Sequence, residues 1–324
     1  MLFKRLQATF HPEQYHGWGK TKRYFEGWYY KVVNNSEDKA FAFIPGISMN
    51  EKGERQAFVQ VLDGKKLTAE YHKFNSEEFQ AKAGKFEINV ANNFFTSENI
   101  KLDLPSIQGE LRFKNRVKWP GNWYSPGIMG PYTFVPFMEC YHGILSMDHN
   151  IEGELIINNE VVDFTGGKGY MEKDWGHSFP SAYIWMQTNH FSQSGISLKV
   201  SVAKIPWLRS SFVGFIAGFL INNQLIEFTT YNSSFLRKSF ANNEKVEIVL
   251  ENRKYRLEII AKRYASTELS SPILGFMDGR INESMTAKIE VLLFDKKNQK
   301  VIFQDTGRNA GLEVAGAVKE IMVD

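Results

Sequence analysis

The sequence predicts an all-β protein made of two antiparallel β-barrel-like halves, with little helix. Most hydrophobic runs are short, rich in β-branched and aromatic residues, and partly alternating. Polar turns separate them at a spacing of roughly 8 to 12 residues, and no long amphipathic pattern interrupts them. The chain has 324 residues, which is about twice a usual domain of about 150 residues, so two domains are expected.

The individual strands are predicted from the runs with this composition. In chain order they are 25–33, 40–47, 57–62, 85–90, 107–113, 153–158, 197–205, 245–250, 255–262 and 287–294. The turns between them carry Asn, Asp or Gly, which tolerate the positive φ of tight hairpins. Examples are Asp63-Gly64, Asn158-Asn159, Asn222-Asn223 and Asn252-Arg253. The apolar run at 212–221 is about half of the ~20 residues that a spanning helix needs, so we expect a buried strand there.

A weak internal repeat supports the division into two halves. Sliding the chain by 157 residues places the segment 58–71 over 215–228 and Trp28 over Trp185. Glycines that follow Thr165 punctuate the middle of the chain. We therefore expect an N-terminal domain at 1–165 and a C-terminal domain at 166–324.

Charge and cysteine content exclude several classes of protein. The 39 basic and 36 acidic residues leave a net charge of +3, which gives little electrostatic support for nucleic-acid binding. The amino terminus lacks the apolar core of a signal peptide, so a cytoplasmic protein is expected, and peripheral contact with a membrane stays open. One cysteine, Cys140, permits neither a disulfide framework nor a cysteine-rich metal site.

The familiar enzymatic motifs are also missing. The chain has no phosphate-binding Gly-Lys-Ser/Thr loop, no His-Glu-x-x-His zinc site, no Gly-x-Ser-x-Gly elbow and no Gly-x-Gly-x-x-Gly dinucleotide motif. The histidine pairs His11/His16 and His142/His149 have no clear set of carboxylate companions, so no metal site is expected. Cys140 is predicted to be a plain buried thiol rather than a nucleophile.

One dense stretch, at 166–191, carries the most suggestive polar residues. If it is extended, the two-residue period of a strand puts Tyr170, Glu172 and Asp174 on one face. Neighbouring carboxylates in a poorly solvated place cannot both ionise cheaply, so the pKa of one rises and a protonated acid persists near neutral pH. The alternative is an exposed strand end whose carboxylates pair with Lys173 or Lys168.

Aromatic residues make up 14% of the chain, and two further stretches concentrate them near carboxyls. The first, at 25–33, places Glu26, Trp28 and Tyr30 on one face of a strand. The second, at 127–143, has Glu139, Tyr141 and His142 as its polar members. Core packing accounts for most of these rings. Rings around a dry cavity would also exclude water and stabilise a carbocation through their π faces.

These stretches resemble the motifs of the tocopherol cyclase family. The similarity rests on FEGWYYKV at 25–32, YMEKDWG at 170–176, SFPSAYIWMQTNHF at 178–191 and GLEVAG at 311–316. Plant members carry Tyr-Ala-Glu-Lys-Asn-Trp-Gly at the central motif, so Glu172 matches and Asp174 replaces an asparagine. The stretch is more distantly similar to carotenoid hydratases of a two-domain lipocalin-like superfamily, which implies that each half is a lipocalin-like barrel.

The resemblance implies a tocopherol cyclase-like enzyme of the isomerase class. Such an enzyme protonates an alkene of a prenylated quinol or phenol, and the phenolic oxygen closes a chromanol ring without a metal or redox cofactor. Glu172 is the implied acid and Asp174 its neighbour, while Tyr170, Tyr141 and His142 orient groups or relay protons. The implied substrate contacts are Glu26, Trp28, Tyr30, Trp175, Trp185, Gln187 and Asn189.

Two alternatives remain open at this point. A non-catalytic lipocalin-like carrier would use the same pocket to bind an apolar isoprenoid or lipid. A carotenoid hydratase-like enzyme would let water, rather than a phenol, capture the cation. In each case the partner is an apolar small molecule.

Overall fold

The computed structural model describes residues 2–324, and it confirms the predicted fold class. Two large antiparallel sheets dominate the described part of the chain, as in lipocalin-like two-domain proteins. One α-helix, α1, spans Leu2–Thr9. Short 3-10 turns lie at Ser76–Glu78, Gly130–Phe134 and Val318–Ile321. None of the helices among these residues combines the length and the hydropathy that crossing a bilayer requires.

The first sheet contains twelve strands from the first half of the chain. They are β1 (Tyr24–Val33), β2 (Ala40–Met49), β3 (Arg55–Asp63), β4 (Thr68–Asn75), β5 (Phe79–Ala81), β6 (Glu87–Val90), β7 (Asn93–Thr96), β8 (Asn99–Asp103), β9 (Ile107–Val117), β10 (Cys140–Ile157), β11 (Glu160–Asp163) and β12 (Lys168–Gly176).

The second sheet contains the remaining ten strands. They are β13 (Ala182–Thr188), β14 (Ser197–Trp207), β15 (Ser210–Ile221), β16 (Gln224–Thr229), β17 (Phe235–Ala241), β18 (Lys245–Glu251), β19 (Tyr255–Lys262), β20 (Thr267–Ile273), β21 (Phe276–Asp295) and β22 (Lys300–Gly316). The apolar run predicted as a buried strand is β15.

The two sheets share a pattern of strand order, although the first has two strands more than the second. In the first, β1 to β4 form a meander, β1 pairs with β12, and the order continues through β10, β9, β8, β7 and β6 to β5. In the second, β13 to β16 form the meander, β13 pairs with β22, and the order continues through β21, β19 and β18 to β17. In each sheet the two edge strands follow one another in sequence, as a sheet that curls toward a barrel requires.

The chain divides into two compact units. The first comprises residues up to Phe179 together with Leu269–Arg280, and the second comprises Pro180–Glu268 and Ile281–Asp324. The inserted hairpin between β20 and β21 belongs to the first unit because its turn bonds that unit's backbone: the Met49 amide donates to the Gly275 carbonyl at 3.0 Å. The expected division at 165/166 falls between β11 and β12, which both pair with β10.

Each unit has its own hydrophobic core on the inner face of its sheet. In the first unit this core is strongly aromatic, with Trp28, Tyr30, Phe43 and Phe95 fully buried. In the second it is mainly aliphatic and includes Met186, with Phe219 among its few rings. Burying one such side chain stabilises the fold by about 1.5–3 kcal/mol. The aromatic excess of the sequence is thus concentrated in the first core.

The predicted repeat exists, but its register is wrong by one residue on some strands. Phe43 and Val200 are 157 residues apart and both face their cores, whereas their cross-strand partners Tyr30 and Met186 are 156 apart. Trp28 therefore lies in the first core, while Trp185 lies on the outer face of the second sheet. A slip of one residue turns every side chain of a strand to the other face, and an alignment of alternating sequences does not detect it.

The turn chemistry follows the sequence closely. Asn158 and Asn159, between β10 and β11, both have positive φ, as do Asn222 and Asn223 between β15 and β16. Two consecutive left-handed residues define the tight turn whose twist matches an antiparallel hairpin. These two hairpin predictions are confirmed.

Gly316, at the end of β22, offers a test of the backbone packing. Its φ is +72°, and a Cβ built there would lie 1.9 Å from the carbonyl oxygen of Ser181. We expect Gly316→Ala to lower the free energy of unfolding by more than about 2 kcal/mol, because strain and a backbone clash add. Urea denaturation followed by tryptophan fluorescence measures this loss.

Gly195 is the matched control for that substitution. It has a similar φ of +77° but nothing within 4 Å of its Cβ position. We expect Gly195→Ala to cost only the conformational strain, about 1 kcal/mol. Equal losses in the two variants would contradict the claim that the clash at Gly316 matters.

Candidate active site

The pairing of β1 with β12 positions two polar clusters. Their register places Trp28 opposite Lys173 and Tyr29 opposite Glu172. Side chains alternate along a strand. Lys173 and Trp175 therefore point into the first barrel, whereas Tyr170, Glu172 and Asp174 point outward. The predicted division of β12 into two faces is therefore correct.

The outward face of β12 carries what we call the outer cluster, defined as His142, Tyr170, Glu172 and Asp174. The Tyr170 hydroxyl donates a hydrogen bond to Oε2 of Glu172. Nε2 of His142 lies 3.6 Å from the same oxygen, and Nδ1 of His142 donates to Oδ1 of Asp174 at 2.7 Å. The imidazole is thus held between the two carboxyl groups, with its tautomer fixed by Asp174.

Exposure to solvent increases across this cluster. Tyr170 is fully buried, while the side chains of Glu172, His142 and Asp174 are 6%, 11% and 23% exposed. Burial raises the pKa of the Tyr170 phenol well above its usual value. The phenol therefore stays protonated and acts as a donor. Protons from solvent reach the cluster most readily at its Asp174 end.

Neither lysine of the alternative interpretation pairs with this cluster. Lys173 binds Glu26 inside the barrel, and Lys168 binds Asp148 at 2.9 Å. Lys31 does border the cluster, because it lies opposite Tyr170 on β1. Cys140, predicted to be a buried thiol, is partly buried. Burial and the charge of Asp174 raise the pKa of its thiol well above the usual value, which makes it a poor nucleophile.

The outer cluster also has the chemistry of a metal site. His142, Glu172 and Asp174 each offer one ligand atom, and these atoms lie within 4.8 Å of one another. A histidine nitrogen and two carboxylate oxygens are suitable ligands for a divalent transition metal. The sequence predicts no metal site and gives no local sign of this set, because His142 and the carboxylates are about thirty residues apart and meet only through the pairing of β10 with β12.

The inward face of the same strand pair carries the inner cluster, defined as His16, Tyr24, Glu26 and Lys173. The carboxylate of Glu26 lies 2.5 Å from Nζ of Lys173 and accepts a 2.5 Å hydrogen bond from the Tyr24 hydroxyl. It also accepts bonds from the backbone amides of His16 and Gly17 at 2.9–3.1 Å. Lys173 also donates to Nδ1 of His16 at 2.6 Å.

Burial decides the electrostatics of the inner cluster. Glu26 and Lys173 are both fully buried. Burial lowers the pKa of Lys173 to about 8, although Glu26 opposes that shift. Burial alone would raise the pKa of Glu26, but the Lys173 cation and the bonds from His16 outweigh it and lower that pKa. The pair is therefore charged at neutral pH and replaces its lost hydration with mutual bonds.

The predicted aromatic contacts surround the inner cluster, not the outer one. Nζ of Lys173 lies 4.9 Å from the ring of Trp28 and 4.5 Å from that of Trp175. Trp175 stacks between His16, at 4.2 Å, and Tyr141, at 5.5 Å. The structure thus separates Glu26, Trp28 and Trp175 from Glu172 by the thickness of the sheet.

Two other predicted residues also lie away from Glu172. Tyr30 packs in the first core and its hydroxyl donates to the Thr96 carbonyl at 2.9 Å. The Tyr141 hydroxyl donates to the carbonyl of Val135, in the loop before β10. The actual cross-strand neighbours of Glu172 are Tyr29 on β1 and Ile144 on β10. The sequence alone does not identify these two residues, because only the pairing of the strands brings them beside Glu172.

The second unit contains the remaining predicted residues. Trp185 and Gln187 are buried on β13, and Asn189 is buried just beyond it. Trp185 lies opposite Glu313, which accepts a 2.7 Å hydrogen bond from the Tyr183 hydroxyl. This tyrosine-bound glutamate corresponds to Glu172, because Tyr29 and Trp185 occupy equivalent positions on β1 and β13.

Comparison with known proteins gives one family. The model of the tocopherol cyclase-like family matches residues 105–316, a region that contains the whole outer cluster but not β1. A protein from Oryza sativa subsp. japonica, described as a probable chloroplastic tocopherol cyclase, is 25% identical over 194 residues. That alignment covers 56% of this chain and only 40% of the rice protein.

Solved structures agree on the fold. CghA with Sch210972 is 9% identical and superimposes with a TM-score of 0.57 over 90% of this chain and 88% of its own. A second crystal structure of CghA is 10% identical, with a TM-score of 0.55 over 91% of this chain and 89% of its own. At this identity the likeness concerns the two-barrel architecture.

A double-mutant cycle tests the inner cluster. We expect Glu26→Gln and Lys173→Met each to destabilise the protein by about 3–5 kcal/mol, because each leaves a buried charge without its partner. The double variant removes both charges, so its loss should be well below the sum of the two. Chemical denaturation of the four proteins measures the coupling.

The exposed pair Lys262–Glu290, with a 3.0 Å separation, is the control. Its coupling should not exceed about 1 kcal/mol, since water screens it. Additive losses for Glu26 and Lys173 would refute the ion pair as described.

Proposed function

Because the chain belongs to the tocopherol cyclase-like family, we propose that it is an enzyme that protonates an alkene of a prenylated quinol or phenol and closes a chromanol ring. The observation that carries this proposal is the outer cluster. It holds one nearly buried carboxyl, that of Glu172, between a phenol donor and an imidazole whose far nitrogen is fixed by Asp174.

Glu172 is the proposed acid. A carboxylic acid that protonates an alkene must carry its proton near neutral pH, and withdrawal from water beside a second carboxylate favours the neutral form. The bond from Tyr170 to Oε2 fixes the orientation of the group. The cross-strand neighbours Tyr29 and Ile144 supply an aromatic and an aliphatic surface beside the acid, which suits an isoprenoid chain.

The proposed reaction conserves atoms and protons. Glu172 transfers its proton to the less substituted alkene carbon, and a new C–H bond forms as the π bond breaks. The tertiary cation at the other carbon is captured by the phenolic oxygen of the same molecule, which closes the ring. That oxygen then loses its proton. The product has the same mass as the substrate, and no electrons are exchanged with a cofactor.

His142 is the proposed acceptor of the released proton. Its Nε2 lies 3.6 Å from Oε2 of Glu172, so a small movement lets it return the proton to the acid. The Asp174 carboxylate at 2.7 Å from Nδ1 stabilises the imidazolium that forms in between. The partial exposure of Asp174 connects this relay to solvent.

Substitution of the acid tests the proposal. We expect Glu172→Gln to reduce turnover of a polyprenyl benzoquinol by about 10²–10⁴-fold, because the amide cannot donate the proton. Binding of the substrate should survive, since the side chain keeps its shape. Chromatography coupled to mass spectrometry detects the chromanol as an isomer of the substrate.

Glu313→Gln is the matched control, because Glu313 is the equivalent tyrosine-bound glutamate of the second unit. It should retain turnover. Full activity of Glu172→Gln would remove Glu172 as the acid. A product heavier by one water would indicate a hydratase, and tight binding of the quinol without any turnover would indicate a carrier.

The relay makes a separate prediction. We expect His142→Gln to reduce kcat by about 10–100-fold with little change in KM, because it removes the proton acceptor. Asp174→Asn should cost less, because the amide oxygen can still accept the bond from Nδ1. Steady-state kinetics of both variants measure this order.

A chelator distinguishes the relay from a metal centre formed by the same residues. Incubation with EDTA should leave turnover unchanged if His142 moves protons. Loss of activity with EDTA, restored by Zn²⁺, would show that His142, Glu172 and Asp174 hold a metal, and the relay would then be wrong.

A further inference from the structure

The helix α1 exposes an apolar stripe. Phe3, Leu6 and Phe10 follow one another at helical spacing and are 78%, 57% and 47% exposed. The opposite side of the helix carries Ala8, which is fully buried against the protein. The helix is therefore seated by one face and presents its larger hydrophobic side chains to solvent, the reverse of ordinary amphipathic packing.

The loop between β9 and β10 exposes further aromatic residues. Trp123 and Tyr124 are 79% and 56% exposed, and their rings meet edge to face at 5.3 Å. Backbone hydrogen bonds in both directions between Asn122 and Ser125 hold this turn. Phe134 and Phe137, later in the same loop, are also exposed.

The two exposed segments touch one another. The rings of Phe10 and Phe134 lie 5.7 Å apart, which joins the end of α1 to the loop. We call the combined surface the aromatic patch. It consists of Phe3, Leu6, Phe10, Trp123, Tyr124, Phe134 and Phe137.

Positive charge accompanies the aromatic patch. Within residues 2–23 and 118–139 the exposed basic side chains are Lys4, Arg5, Lys20, Lys22, Arg23 and Lys118. The same segments contain only two carboxylates, Glu13 and Glu139, and Glu13 contacts His11 at 3.2 Å. Arg23 is paired with Glu51 from outside these segments, so five of the six basic side chains remain as the excess. The whole chain has a net charge of +3, whereas these two segments carry more basic than acidic side chains, with Lys4 and Arg5 exposed on α1 itself.

We propose that the aromatic patch docks the protein on the surface of an anionic lipid bilayer. A short basic helix with an exposed Phe/Leu stripe lies in the plane of the interface with its apolar face in the acyl boundary. Tryptophan and tyrosine favour the same level of the membrane. The exposed basic side chains of the same segments, Lys4 and Arg5 on α1 among them, are attracted by anionic headgroups, at about 1 kcal/mol for each Lys or Arg close to the surface. A neutral apolar partner would not explain this charge.

The patch adjoins the strands that carry the outer cluster. Pro12, just after α1, packs against Gly143 on β10, and the carbonyl of Gln14 accepts a bond from Lys173 on β12. The loop runs directly into β10, two residues before His142. Docking there would bring β10 and β12 close to a lipid phase. The docking inference itself rests on exposure and charge, independently of the proposed reaction.

Vesicle flotation tests the proposal without reference to turnover. The full chain is mixed with vesicles of phosphatidylcholine alone or of phosphatidylcholine with phosphatidylglycerol. We expect flotation with the anionic vesicles and its loss at high salt, which screens the charges. The variants Phe3→Ser/Leu6→Ser and Trp123→Ser/Tyr124→Ser should each bind the vesicles at least about tenfold more weakly than the unaltered protein. Each variant removes apolar surface that docking would bury in the bilayer.

The control is Leu208→Ser/Phe235→Ser, which removes two exposed apolar side chains of the second unit and should float like the unaltered protein. Unchanged thermal unfolding shows that the patch variants are folded. The proposal is overturned if the unaltered protein does not float with anionic vesicles. It is also overturned if both patch variants float as well as the unaltered protein does. It is also overturned if the patch variants abolish self-association in lipid-free solution while vesicle binding is unaffected.

Discussion

The pairing of β1 with β12 is the constraint on which both polar clusters depend. It joins segments about 145 residues apart and fixes which side chain of one strand faces which side chain of the other. Because the side-chain period of a strand is two, this single register sends Lys173 into the barrel and Glu172 out of it. A shift of one residue would turn Glu172 into the aromatic core and Lys173 to the outer face of the sheet.

The inner cluster shows what it costs to keep charges in such a core. Glu26 and Lys173 give up their hydration, and the protein replaces it with backbone amides, a phenol and two indole faces. Burial of a charged pair seldom adds stability overall, but breaking it is expensive. The segment after α1 supplies the His16 and Gly17 amides and the Gln14 carbonyl, so this segment is tied to the end of the barrel by the same cluster.

The sequence was sufficient for the fold class, for about half of the strands and for the two faces of β12. Period-two alternation and Asn-rich turns are local signals, and both survived in the structure. The composition of the site was harder to predict, because it depends on pairing between distant strands. The family resemblance implies that Trp28 and Trp175 lie beside the acid, yet both lie on the opposite face of the sheet from it. Tyr29 and Ile144, the actual neighbours of Glu172, carry no local signal, and His142 acquires its carboxylate partners only through the pairing of β10 with β12.

The equivalence of Glu172 and Glu313 has a consequence for the history of the chain. If the two halves arose by duplication, each began with a glutamate on the outer face of its sheet, and only one needed to retain the groups around it. In the second half the positions that correspond to Tyr170 and Asp174 are Gly311 and Ala315. Redundancy of this kind frees one copy to drift while the other is held by selection. Around the two glutamates the strand pairing is the same, so replacement of a few neighbouring side chains distinguishes the half that carries the cluster from the half that does not.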